Sequence, residues 1–152
     1  MRGMTMVAAA VAVVLMLSGW PALAGEVARD QLVEAASMPG LLNAKDFKPF
    51  DRGIRAQRPD KGILVTFLGP AKDVQEVIAV GGVAETNGLA LMLTIPSLVA
   101  TGAQWDDGAT WASQSISALA KSGGTATKQV NGRIIELTVV QPNVIHLSIV
   151  KR

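Results

Sequence analysis

The C-terminal stretch, residues 125–151, constrains the fold more than any other part of the chain. Ile135, Leu137 and Val139 alternate with more polar neighbours, and Ile145, Leu147 and Ile149 repeat the pattern. Successive side chains on a strand point to opposite faces, so each triplet lines one face of a sheet. Asn131-Gly132 separates the first two runs and Gln141-Pro142-Asn143 the next two. Asn-Gly between such runs favours a two-residue hairpin turn, because both residues tolerate positive φ. The reading is a three-stranded antiparallel meander over 125–130, 133–140 and 144–151, with the Ile/Leu/Val face in the core.

Upstream, residues 26–38 read as a helix with Val27, Leu32, Val33 and Ala36 on one stripe, ended by Pro39-Gly40. Residues 41–61 are interrupted by Pro49, Gly53 and Pro59 and read as loop-rich. Residues 62–68 read as a strand closed by Gly69-Pro70. The segment after it is ambiguous. Val74, Val77 and Ile78 keep helical spacing, yet 77–85 also fits a strand with a bulge at Gly81-Gly82. The strand is preferred because Asn87-Gly88 follows, making 89–95 its hairpin partner with Leu89, Leu91, Leu93 and Ile95 on one face. Residues 105–124 read as the second helix, with Asp107 as N-cap and Gly123 as C-cap. Its stripe is Trp111, Ala112, Ile116, Leu119 and Ala120. The expected order is α-βββ-α-βββ: an α+β fold with an antiparallel sheet of about six strands and two main helices on one face. Asn-Gly in each half hints at a duplication, but the halves share too few residues to claim one.

Residues 1–24 carry a different signal. Arg2 is followed by an almost wholly apolar run over 7–17, and then by Ala22-Leu23-Ala24. That is the layout of a secretory signal peptide, cleaved after Ala24. The competing reading is a retained anchor, but the run falls well short of the ~20 residues that span a bilayer, and Pro21 breaks any continuing helix. Cleavage leaves one small domain, 25–152, without a stable membrane span. The expected location is periplasmic or secreted.

Composition narrows the chemistry. The absence of Cys excludes disulfides, thiol catalysis, thiolate zinc sites and lipid attachment through a thiol. His146 is the one histidine, so a metal site built on several histidines is excluded, and a catalytic triad would have to recruit it. The chain has no Gly-x-Ser-x-Gly, His-Glu-x-x-His or phosphate-loop motif. Losing Arg2 with the leader takes the net charge from +2 to +1, no footprint for nucleic acid. Tyr is absent, and after the leader the aromatics are Phe47, Phe50, Phe67, Trp105 and Trp111, too few for a base-stacking platform. No cofactor and no metal are expected.

Three constellations remain. On the polar face of the meander, a turn pairing Val140 with Val144 sets Thr138 opposite His146 and Glu136 opposite Ser148. The Asn131-Gly132 turn sets Thr127 beside Glu136 and Thr125 beside Thr138. Glu136 and His146 then become diagonal neighbours, the raw material of an acid–base pair or simply of a wet sheet face. Leu64, Leu68, Met92, Ile134, Val140, Val144 and Val150 share the parity of that face. Either helices cover part of it, the simpler expectation, or a ligand or partner does.

Residues 45–61 form the second constellation. Lys45, Lys48, Arg52, Arg55, Arg58 and Lys61 outnumber Asp46, Asp51 and Asp60, with Phe47 and Phe50 interleaved. This is a docking surface for an acidic partner, or a solvated connector pinned by its phenylalanines. Third, Trp105 and Trp111 flank a helix start, framing a groove or anchoring a loop. The expected function is a small exported, non-enzymatic binding or accessory protein that takes an envelope or exported protein, or a small ligand. Its binding residues would be Lys48, Phe50, Arg52, Arg55, Arg58, Trp105 and Trp111. The alternative is an exported acid–base hydrolase using Glu136 and His146.

Overall fold

The computed structural model describes residues 26–37, 41–82, 86–99, 105–141 and 144–152. Residues 1–24, expected to be a signal peptide, and Pro39-Gly40 and Pro142-Asn143, expected to be breaks between elements, lie outside them. Among the described residues the chain forms three α-helices, α1 (Arg29–Ala36), α2 (Thr86–Val99) and α3 (Trp105–Ser122). The strands are β1 (Lys48–Phe50), β2 (Gly53–Arg58), β3 (Ile63–Leu68), β4 (Glu76–Gly82), β5 (Gly124–Val130), β6 (Arg133–Gln141) and β7 (Val144–Lys151). They make one antiparallel sheet in the order β1-β2-β3-β4-β7-β6-β5. The α+β class and the antiparallel sheet are as read from the sequence, and the order of elements is close to it.

The C-terminal meander has the expected register. Asn131 and Gly132 both take positive φ, 50° and 75°, in the turn that pairs Val130 with Arg133. Thr125 pairs with Thr138, Thr127 with Glu136, Glu136 with Ser148, and Thr138 with His146. At the far end the expected Val140–Val144 pair is replaced by Gln141–Val144, with Val139 still opposite Ile145. Val140 is thus the extra residue of a β-bulge, 64% exposed. The bulge expected at Gly81-Gly82 is not there: both glycines pair in register with Ile145 and Val144.

The main correction concerns Asn87-Gly88. These residues lie inside α2, and the expected strand 89–95 is helical. Leu91, Met92, Leu93, Thr94 and Ile95 are all buried in succession, which no half-exposed strand allows. α2 packs against α1, α3 and β4, and a helix surrounded on every side is apolar all round, so its periodicity disappears. Small residues permit this crowding. A Cβ on Gly81 would lie 3.3 Å from the Met92 methyl, and one on Gly108 would lie 3.1 Å from Ser97 Cα. The buried Thr94 and Ser97 hydroxyls donate to the Ala90 and Leu93 carbonyls at 2.7 and 2.8 Å, so their burial leaves no orphan donor.

α3 begins at Trp105, which places Asp107 inside its first turn rather than at its cap. There its carboxylate still suits the positive end of the helix dipole. Ala112, Ile116 and Leu119 are buried as expected, whereas Ala120 faces solvent. Gly123 closes the helix at φ 69°, its N–H donating to the Leu119 carbonyl at 2.7 Å. The supposed loop 41–61 contains the β1–β2 hairpin, turned through Asp51 at φ 48°. Gly53 is required there, since a Cβ would sit 1.8 Å from the Phe67 carbonyl oxygen.

Residues from all three helices join Val65, Phe67, Val77, Ala79, Ile135, Leu137, Ile145, Leu147 and Ile149 in one core. By strand parity these sheet residues share one face. The described helices therefore cover that face only.

One polar cluster fastens this layer. Asp73, just before β4, accepts hydrogen bonds from Lys151 Nζ at the end of β7, from Gln75 Nε2 at 2.9 Å and from the Val27 amide at 3.4 Å. Arg133, 1% exposed at the start of β6, lies 3.4 Å away through Nη2. Burial pushes the Asp73 carboxyl up, but the Lys151 ammonium and the Val27 and Gln75 amides outweigh it and hold its pKa below the usual carboxylate range. Its ionised form therefore stabilises the fold above the unfolded-state pKa of about 3.9, a contribution lost as pH falls through the lowered folded value. We expect Asp73→Asn to cost about 2 kcal/mol at about pH 7 and to flatten the loss of stability between about pH 4 and pH 2. Urea unfolding of both forms across that range checks this, and parallel curves would refute it.

Candidate functional site

The uncovered face of the sheet follows directly from the strand register. One row across it runs Lys48, Arg55, Thr66, Ile78, Ser148, Glu136, Thr127. The neighbouring row runs Gln57, Leu64, Val80, His146, Thr138, Thr125. On the other side lie Phe50, Gly53, Leu68, Glu76, Val150 and Ile134. The face thus changes character along the sheet: cationic at β1–β2, apolar over β3–β4, hydroxylated over β5–β7. Helices were the simpler expected cover for its apolar residues, and the described helices lie on the opposite face instead. Leu64, Ile78, Val80 and Ile134 are half-buried, and Val150 is 38% exposed. Met92 does not belong to this set, since it is buried within α2.

At the β1–β2 end an open groove of about 520 Å³ is lined by Lys45, Asp46, Lys48, Pro49, Phe50, Arg55 and Gln57. Arg55 organises it. Its Nε donates to Thr66 Oγ1 at 2.9 Å, and Thr66 is fully buried. Its guanidinium carbon lies 3.5 Å from the centroid of the Phe50 ring, a cation–π stack that orients the plane of the group. Lys48 stands directly across from Arg55 in the ladder. Asp46, by contrast, is engaged within its own turn: its Oδ2 accepts the Asn43 amide at 2.8 Å, completing the capping box of the short turn Ala44–Asp46. The two phenylalanines divide their roles. Phe47 stacks on Phe67, ring centroids 5.4 Å apart, and pins the segment to the core, while Phe50 remains 36% exposed in the groove.

The three arginines expected to act together are separated. Arg58 chelates Asp60 through Nε and Nη2 at 3.0 and 2.9 Å and donates to the Leu41 carbonyl from Nη1; the Asp60 carboxylate beside it raises its pKa. Arg52 is exposed at the hairpin tip, 3.8 Å from Asp51. Only Arg55 lines the groove. Trp111 is half-buried and packs on the core from α3, which lies over β5 and β6 at the opposite end of the sheet. Trp105 opens the same helix, and its side chain lies outside the described residues. Trp111 and the groove therefore lie at opposite ends of the sheet. Gln57 lines the groove and the buried Thr66 holds Arg55, neither having been proposed for binding; strand register alone brings Thr66 beside Arg55.

Glu136 and His146 occupy the expected diagonal positions on β6 and β7. The adjoining Thr125 and Thr138 hydroxyls are hydrogen-bonded at 2.9 Å. No hydrogen bond or ion pair joins Glu136 to His146, and the groove is four strand spacings away from Glu136, about 19 Å. Among the described residues no three of His, Asp or Glu gather as metal ligands, and no helix is long and apolar enough to cross a membrane. No protein family, curated protein or solved structure matches this chain.

Arg55 is thus a built feature and Arg52 is not. We expect Arg55→Ala to cost about 1–2 kcal/mol, through the buried Thr66 hydroxyl that loses its partner and the lost stack on Phe50. Arg52→Ala should leave the unfolding midpoint unchanged. Equal effects of the two substitutions in chemical denaturation would contradict the assignment.

Proposed function

We propose that this chain is a small exported binding protein, without catalysis of its own, that docks a protein partner on the open face of its sheet. The observation that carries this is the band of Leu64, Ile78 and Val80, left uncovered by the described helices and continuous with the cationic β1–β2 end. Contiguous apolar surface on a soluble domain generally marks an interaction site. A flat face with a charged border suits a protein surface better than an enclosed small molecule, which needs a deeper cavity. Export is supported by the charged, apolar and small-residue segments of 1–24. For the acid–base alternative, no hydrogen bond or ion pair joins Glu136 to His146, and no observation favours it.

Two measurements test the proposal. A photo-reactive side chain at Val80, in the protein expressed in its own envelope, should form one discrete protein adduct. The same group at Ser117, exposed on α3, should form none. Matching adduct patterns at both positions, or none at Val80, would sink the docking reading. Separately, N-terminal sequencing of the exported protein should begin at Gly25. A chain still beginning at Met1 would overturn cleavage after Ala24.

A further inference from the structure

We infer that the β1–β2 groove is an oxyanion site, taking a carboxylate or phosphate end-on at Arg55. This rests on the docking reading only for the origin of the anion, an acidic side chain of the partner. The chemistry of the groove stands on its own residues.

The argument begins with the arginine's five donors. The Nε–H of Arg55 is engaged by Thr66, which removes the side-on fork made by Nε and one Nη. The end-on fork, Nη1 with Nη2, makes no hydrogen bond among the described residues. Two parallel N–H groups on one planar cation match the two oxygens of a carboxylate, or two of a phosphate. The group is also held in place. Thr66 fixes one edge and Phe50 one face, so little side-chain freedom remains to be lost when an anion binds.

The surroundings carry the appropriate sign. Lys48 is the ladder partner of Arg55 and Lys45 lies on the adjoining turn, both lining the same groove. Among the described residues neither lysine is ion-paired, and the one acidic lining residue, Asp46, is held by the Asn43 amide. Arg58 supplies an internal contrast. It sits on the same strand with its side-on pair, Nε and Nη2, already filled by Asp60, whereas Arg55 spends its Nε on Thr66 and keeps the end-on pair for an anion. Gln57 adds a neutral amide at the groove wall.

The test is amide NMR on the purified protein, titrated separately with glutarate and with inorganic phosphate, each against sodium chloride at matched ionic strength. Saturable shifts are expected over residues 45–57 and not over β5. Saturation by glutarate, with or without phosphate, identifies a carboxylate source; saturation by phosphate alone identifies free phosphate; both support the site. Arg55→Gln should weaken binding by at least about ten-fold, and Arg55→Lys, which keeps the charge but loses the fork, by about five-fold. Lys48→Gln, which leaves the Thr66 bond untouched, should weaken it by about three-fold, and Arg52→Gln by less than about two-fold. Shifts no larger than those of sodium chloride, or equal affinity in Arg55→Gln and Arg52→Gln, would overturn the site. Failure here with the Val80 adduct retained removes only the oxyanion site. Anion binding without any Val80 adduct removes the docking reading and leaves the site.

Discussion

The pairing of β4 with β7 is the interaction on which the rest of the molecule depends. Seven ladder pairs, from Glu76–Val150 to Gly82–Val144, join two meanders that are otherwise separate in the chain. Val77–Ile149, Ala79–Leu147 and Gly81–Ile145 face the helices, so the seam runs through the middle of the core. Neither meander alone presents enough apolar face to hold three helices, and a chain without disulfides has no other staple. The seam joins residues far apart in sequence, so it forms only when the entropy of closing a long loop is overcome by many contacts at once. Asp73 sits at its end and gathers Val27, Arg133 and Lys151 from three distant segments. The charge cluster thereby aligns the N-terminal segment, β6 and β7 where strand pairing begins.

The same seam determines what the open face looks like. It sets the hydroxylated strands β5–β7 beside the apolar strands β3–β4, and leaves β1 and β5 as the two edges. These edges differ. β1 is three residues long, carries Pro49 and bears Lys48, features that discourage pairing with another chain. β5 is seven residues long with Lys128 as its one charge. The cationic groove lies at the guarded edge, which presents side chains rather than a long run of open backbone. Under the docking proposal, recognition at that end would rest on charge and shape, with strand addition disfavoured.

Much of this was legible in the residues, for local reasons. The registry of Thr125, Thr127, Glu136, Thr138, His146 and Ser148 follows from period-two alternation, the Asn-Gly turn that sets β5 against β6, and the break at 141–143 that sets β6 against β7, all encoded within a few residues. α2 was not legible, because Leu91 to Ile95 are buried from every side and a uniformly apolar run carries no period. Asn87-Gly88 reinforced the wrong reading, since a turn signal has meaning only when two strands flank it. The β1–β2 hairpin was hidden by its charges and by Pro49, and Val140 by a bulge that shifts register without altering alternation. The covering of one face but not the other is a property of helix placement that no window of sequence contains.

The arginines show the same division most sharply. Arg52, Arg55 and Arg58 recur every three residues with similar neighbours, and composition treats them alike. Strand parity places Arg55 on the open face and Arg58 on the other. The turn Pro59–Lys61 then brings Asp60 back onto Arg58 and closes its fork. Arg52 falls in the hairpin tip, outside the strand pairs and with its side chain exposed. What separates the three is thus the arrangement of acceptors: a carboxylate within two residues satisfies Arg58, whereas a buried hydroxyl eleven residues away fixes Arg55 while leaving its charge uncompensated. A cation that is positioned but not neutralised is the combination that recognition of an anion requires, and only folding of β3 against β2 produces it.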